Sequence, residues 1–298
     1  MKDFFININK KNIYNYKVMS NDNNILKKSF NKAVGGGVAG ASAMAVQVGS
    51  LMWLRTTMNY QYRYGTSTMD AFKHLYKEGG IRRFYRGVGP ALFQGPLSRF
   101  GDTAANTGII TLLNSNETTK DLPVSIKTLA ASSTAALWRI CIMPIDTCKT
   151  ILQVEGQNGL KILSNKIRSN GPISLYHGSL GASGATLVGH YPWFFTYNYL
   201  NHKLPEYDTT IKTLLRNGFI GFSSSIVSDC TSNSIRVIKT TRQTYHKPIS
   251  YINTVKMIID NDGLSGLFSR GLKTRIIANG FQGIMFSILW KYFQSKLN

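Results

Sequence analysis

The residues of this 298-residue chain that are equipped for chemistry carry charge rather than a nucleophile. One run stands out: Pro144, Asp146, Lys149 and Gln153, spaced P-x-D-x-x-K-x-x-x-Q at the end of an apolar stretch. On a helix, Asp146 and Lys149 lie three apart on one face and can pair. Pro144 removes a backbone donor and kinks the helix that holds it. The chemistry on offer is therefore electrostatic, an ion pair beside a bend. No H-E-x-x-H, P-loop or G-x-S-x-G occurs, so an enzyme of those classes is excluded. Cys141, Cys148 and Cys230 form neither a disulfide framework nor a zinc-ligand spacing, and no metal or cofactor is expected. Gly35, Gly37 and Gly40 match G-x-G-x-x-G, but no βαβ alternation surrounds them.

These charges must be held by apolar elements. Residues 33–54 contain no charged side chain over 22 positions, enough for a helix to cross a bilayer core of about 30 Å. Residues 177–202 form a second uncharged run. Four weaker runs (88–98, 128–138, 217–228 and 276–290) end at Arg99, Arg139, Asp229 and Lys291. Charged residues make up 16% of the chain, against about 25% in soluble domains. Buried helices of a soluble core are the alternative, and the mean hydropathy of −0.11 leaves it open. Gly36-x-x-x-Gly40 favours close helix contact in lipid. Charges inside spans face the interior and mark a substrate path. The net charge of +21 comes without a basic-aromatic recognition module, so cations at a membrane surface explain it better than nucleic acid.

The same signals recur three times in order. A glycine with an aromatic five residues later appears as Gly80…Tyr85, Gly171…Tyr176 and Gly263…Phe268, the glycines 91 and 92 residues apart. An aromatic-basic-glycine turn follows: Tyr85-Arg86-Gly87, Tyr176-His177-Gly178 and, with one insertion, Phe268-Ser269-Arg270-Gly271. Upstream lie Arg55, Lys149 and Arg236. Such self-similarity marks a repeat architecture.

The run from Pro144 to Gln153, set in this triplication, resembles the signature of the mitochondrial carrier family, over about residues 31–298. The resemblance implies an all-α membrane protein: six transmembrane helices in three pseudo-threefold repeats around a central cavity, with short amphipathic helices on the matrix side. The units expected are a disordered N-terminal extension (1–30) and carrier repeats at 31–122, 123–208 and 209–298. The extension is rich in Asn, Lys and Ile, and its Asp3 and Asp22 fit a transit peptide poorly. The location implied is the mitochondrial inner membrane, multi-pass, as a monomer.

By the same resemblance, Arg55, Pro144, Asp146, Lys149, Gln153 and Arg236 belong to a matrix-side gate. Repeat one carries Ser50, Met52, Arg55 and Asn59 at the signature positions, and repeat three Thr231, Asn233, Arg236 and Thr240. Three cations then face Asp146 alone, one full ion pair is possible, and two repeats lose the kinking proline. The opposite network of the family falls on Thr107/Ile110, Asn198/Asn201 and Lys291/Gln294 and is nearly absent. The family's substrate contacts fall on Gln94 and Gly95, Ala185 and Thr186, and Ala278 and Asn279. Cavity positions fall on Arg99, Arg139 and His190, with Asp229 beside them. Two guanidiniums suit a carboxylate or phosphate. Asp229 either binds an amine or neutralises an arginine. Cardiolipin is the expected lipid partner, at Arg86, Gly87, Gly178, Arg270 and Gly271, where helix N-termini attract anions. The function implied is transport, by exchange, of a small anionic or zwitterionic metabolite through alternating access. A carrier-fold membrane adaptor without transport is the rival reading, which the eroded networks permit.

Overall fold

Glycine in the left-handed region sets the joints of this chain. In the computed structural model, which describes residues 42–206 and 210–297, Gly87, Gly178 and Gly271 have φ of +81°, +99° and +65°. Each immediately precedes a long helix: α3 (Val88–Ser115), α7 (Ser179–Lys203) and α10 (Leu272–Leu297). Only glycine adopts this conformation without steric cost. Space makes the same demand. A Cβ on Gly87 would stand 2.9 Å from the carbonyl oxygen of Lys149, and one on Gly271 would stand 2.7 Å from the Tyr62 ring.

The other elements follow in chain order. Residues 42–64 form helix α1, closed at Gly65. Helix α2 (Thr68–Phe84) starts at Ser67, whose hydroxyl accepts from the Asp70 amide, and breaks at Gly79 and Gly80. Helices α4 (Val124–Cys141) and α5 (Met143–Glu155) are separated at Ile142, and Pro144 sits in the first turn of α5, where its missing N–H has no partner to lose. The segments Val124–Cys141 and Met143–Asn170 are bent by 66°. Helix α6 (Gly159–Asn170) leads to a 3₁₀ turn and α7. Helix α8 (Thr210–Thr244) runs unbroken through Thr231, the position where repeat three has no signature proline. Helix α9 (Tyr251–Ser269) breaks at Gly263. No strand occurs among the described residues.

The long helices pack in a ring. Helix α3 contacts α4 and α5, α7 contacts α4 and α8, and α8 contacts α10. Helix α1 fits between α3 and α10: Val48 and Met52 pack on Ala91, and Leu51 and Leu54 pack on Ala278. Gln47 Nε2 also donates to the Gln282 carbonyl at 2.8 Å.

Three buried cations lock this ring at the ends of α1, α5 and α8. The last carbonyls of a helix lack intrahelical donors and carry the negative end of its dipole. Arg83 donates to the carbonyls of Gln153 and Val154, both at 2.7 Å, Lys166 to that of Gln243 at 2.9 Å, and Arg270 to those of Tyr62 and Arg63. Each bond ties a connecting segment to the next helix pair, and the third returns to the first. Arg83 and Arg270 also pair with Glu78 and Asp262, whereas among the described residues no carboxylate makes an ion pair with Lys166 and Glu155 acts on it only from farther away. Burial in α6 therefore pushes the Lys166 ammonium down to about 8, helped by the charges of Arg242 and Arg63.

Polarity is inverted relative to a soluble domain. Buried positions include Gln47, Asn59, Gln94, Asp146, Gln153, Asp229 and Asn233, while Phe93, Leu129, Leu137, Leu180, Phe195, Leu215, Phe219 and Ile284 stand exposed. Among the described residues no single helix is long and apolar enough to cross a membrane; only the bent pair passes by length and composition. The physical reason is the interior: the lining residues Arg99 and Asp102 on α3 and Arg236 and Lys239 on α8, with the buried Asp229 on α8, dilute the hydropathy of helices whose outer faces are apolar. Residues 1–30, the Gly36–Gly40 motif and the side chains of Lys291 and Gln294 lie outside the described residues.

Candidate functional site

The ring encloses a cavity of about 320 Å³. The substrate positions expected from sequence meet there: Gln94, Gly95, Arg99, Arg139, Ala185, Thr186, His190, Ala278 and Asn279 all line it. They come from α3, α4, α7 and α10, and the three pairs placed seven residues beyond the turn glycines face one another across the ring. Arg55, Asp146, Lys149, Gln153 and Arg236 line its floor, beside the helix ends that lead into the connecting segments. Pro144 does not line the cavity; it stands at the α4–α5 bend.

The floor is closed by polar contacts between helices. Asn59 Nδ2 on α1 donates to Gln153 Oε1 on α5 at 2.6 Å. Lys149 donates to Asp146 Oδ1 at 2.7 Å, and Lys239 on α8 donates to Asp146 Oδ2. Gln243 Nε2 adds a contact of 3.3 Å to the same oxygen. Asp146 thus bridges two lysines. The expectation of one pair facing Arg55, Lys149 and Arg236 is corrected on this point, because Lys239, not Arg236, reaches the carboxylate. Lys239 lies one helical turn beyond Arg236, and that spacing was the available signal.

Arg55 and Arg236 have neutral partners instead. Arg55 donates to Gln282 Oε1 at 2.8 Å and contacts the sulfur of Met44 at 3.5 Å. Arg236 Nε donates to Ser232 Oγ at 3.2 Å. Asn233, at the third signature acid position, turns away and donates to the carbonyls of Phe268 and Arg270. Met52, at the first, accepts a weak 3.4 Å contact from Gln153.

Higher on the wall, Arg139 donates to Asp102 Oδ2 at 2.6 Å and also reaches Ser98. Asp102 was not singled out in the sequence, although it follows Arg99 by one helical turn. His190 Nδ1 lies 2.9 Å from Ser132 Oγ. Asp229 is buried behind the wall rather than lining it, bound to Arg275 Nε at 2.6 Å and to Asn279. Of the two readings for Asp229, the structure gives neutralisation of an arginine, namely Arg275, which was also overlooked. Arg275 has no charged counterpart four residues after Gly87 or Gly178, so the repeat pattern hid it.

The expected lipid positions divide. Gly87, Gly178 and Gly271 sit at the starts of α3, α7 and α10, and Arg86 is exposed. Arg270 is corrected: its side chain turns inward to Asp262 and to backbone carbonyls, because the end of α1 needs a donor there. The starts of α2 and α10 border a groove lined by Ser67, Thr68, Gly271 and Lys273.

Known proteins give the cavity its context. A yeast protein, peroxisomal adenine nucleotide transporter 1 of Saccharomyces cerevisiae (strain ATCC 204508 / S288c), is 27% identical over 184 residues, covering 49% of this chain. The match spans about half, 55%, of that relative's length. The mitochondrial ornithine transporter 1 of Rattus norvegicus is 24% identical over 256 residues, covering 76% of this chain and 83% of the relative. The family model described as mitochondrial carrier protein matches residues 27–116 and 120–208, more than half of the sequence. With its signature run, polar-cored helical ring and hydrogen-bonded cavity floor, the chain belongs to the mitochondrial carrier family, whose members are transporters and not enzymes.

Proposed function

We propose that this protein moves a small anionic or zwitterionic metabolite across the mitochondrial inner membrane by alternating access, in exchange mode. The observation that carries the proposal is the cation-lined cavity inside a ring of helices with apolar outer faces. Lipid accommodates that inversion, because an apolar exterior loses nothing there and interior charges gain partners or a ligand. The six spans are α1, α3, the bent α4–α5 pair, α7, α8 and α10, with α2, α6 and α9 beyond them on the matrix side. The repeats are 31–122, 123–208 and 209–298.

In this reading the floor contacts are the matrix gate and the closed floor is the state open to the opposite side. A substrate drives the change by binding the intermediate better than either end state. Gln94, Gly95, Ala185, Thr186, Ala278 and Asn279 contact it, with Arg99, Arg139 and His190 orienting its polar groups. Cardiolipin headgroups bind at the helix starts by Gly87, Gly178 and Gly271, with Arg86 and Lys273 as cations. Of the substrates in the relatives' names, adenine nucleotides are anions of the proposed class, whereas ornithine, with two ammonium groups and one carboxylate, is a net cation that shares only the carboxylate.

Purified protein in liposomes should exchange labelled nucleotides, carboxylates or amino acids, and Arg139→Ala should abolish that uptake. Uptake by Arg139→Ala equal to the parent would remove the cavity assignment. The adaptor reading draws on the residues opposite the gate: Thr107 and Ile110 cannot pair, and Asn201 is engaged by Arg216. No uptake across the panel, with a stable complex retained, would favour it. One relative is named as peroxisomal, so fractionation against mitochondrial and peroxisomal markers tests the location.

A further inference from the structure

We infer that the floor of the cavity is itself an anion site, in which Arg55 and Arg236 take a multiply charged oxyanion that replaces the carboxylates missing from the gate. The inference deepens the transport reading by naming the ligand class, an anion with at least two charged phosphate or carboxylate groups, and its binding step holds whether or not that ligand is carried.

Charge on the floor is unbalanced in a specific way. Four cations line it, Arg55, Lys149, Arg236 and Lys239, and one carboxylate, Asp146, answers them. Both oxygens of Asp146 are already engaged by the two lysines. The other two carboxylates near the cavity are also committed to arginines: Asp102 to Arg139 and Asp229 to Arg275. Among the described residues, Arg55 and Arg236 therefore hydrogen-bond to Gln282, a thioether and a serine hydroxyl, all neutral, and the one carboxylate that acts on Arg236 through space, Asp229, is held by Arg275. Cations removed from bulk water are stable when paired, and a guanidinium offers a planar fork of donors matched to phosphate and carboxylate oxygens. These two arginines come from α1 and α8, at the positions where the signature supplies a gate cation, and their repeats hold Met52 and Asn233 where it supplies the acid. An oxyanion between them joins α1 to α8 across the floor, as Asn59–Gln153 joins α1 to α5 and Lys239–Asp146 joins α8 to α5. Such a ligand strengthens the closed floor and leaves with the cations when it opens.

The test is thermal unfolding of the full chain in detergent with pyrophosphate or with citrate, against sodium chloride at matched ionic strength. The expected result is a rise in midpoint of several degrees with pyrophosphate or citrate and none with the salt control. Arg55→Gln and Arg236→Gln should each weaken the apparent affinity about tenfold or more, the effect of losing a charge-assisted contact. Pyrophosphate acting alone assigns a phosphate ligand, and citrate acting alone assigns a carboxylate; either supports the site. A shift that survives both substitutions, or no shift with either anion, overturns it. If a glutamine variant fails to fold, Arg55→Lys and Arg236→Lys keep the charge without the fork, and an unchanged affinity in both also overturns it. Liposome exchange run in parallel separates the two readings: exchange without an anion shift sinks this site alone, and an anion shift without exchange sinks transport alone.

Discussion

Asn59 Nδ2 reaches Gln153 Oε1 at 2.6 Å across the cavity floor, linking α1 to α5 through two neutral side chains. Both residues are buried, so each would be left unsatisfied without the other. Gln153→Ala should lower stability by about 1–3 kcal/mol, the cost of orphaning a buried polar partner. Measured with Asn59→Ala in a double-mutant cycle by thermal unfolding, the losses should be non-additive by about 1 kcal/mol. Strict additivity would show that the bond contributes nothing to closure.

Asp146 carries more. Asp146→Asn leaves Lys149 and Lys239 facing each other without a counter-charge. Removing one member of a buried ionic cluster costs about 3–5 kcal/mol, so this variant should unfold well below Gln153→Ala. The discriminating measurement is the order of the midpoints, with Asp146→Asn lowest.

Lys166 provides a pH signature outside the spans. Its folded pKa is pushed down to about 8, whereas an unfolded lysine titrates near 10.4. Between these values the unfolded chain binds more protons than the folded one, so the stability contribution rises with pH from about 8 to about 10. Below 8 both states are protonated and the full burial penalty remains. Lys166→Met should flatten this rise relative to the parent. Midpoints recorded from pH 7 to 10 for both proteins check it, and parallel curves would refute it.

Gly87 is a steric prediction with an internal control. Gly87→Ala forces a side chain into φ +81° and against the Lys149 carbonyl, and should cost about 1–3 kcal/mol. Gly89→Ala, two residues on, meets nothing within 4 Å and should be neutral or slightly stabilising. Equal effects at both positions would show that the close approach to α5 is unimportant.

Legibility in the sequence followed the kind of constraint involved. The joints could be read because glycine is the residue that a left-handed turn demands, and three such turns at similar spacing leave a printed period. The bend could be read from Pro144, and the straightness of α8 from the lack of proline at Thr231. The cavity wall could be read only through the family resemblance, which puts substrate contacts seven residues beyond each turn glycine. The partners were not legible in the same way. Lys239, Asp102 and Arg275 make their contacts between helices, where pairing depends on rotation and depth that one strand of letters does not encode. The helix-end cations are a sharper case. Arg83, Lys166 and Arg270 do one job from three different offsets relative to the turn glycines, so no period reveals them. Arg270 looked outward by its motif and turned inward because carbonyls at the end of α1 lacked donors.

That last contact has a consequence for biogenesis. The carbonyls of Tyr62 and Arg63 are translated some two hundred residues before the guanidinium that finally covers them. Until the last third of the polypeptide emerges, the opening helix waits with a raw seam. A product truncated after residue 208 would lack Arg270 and keep that seam permanently.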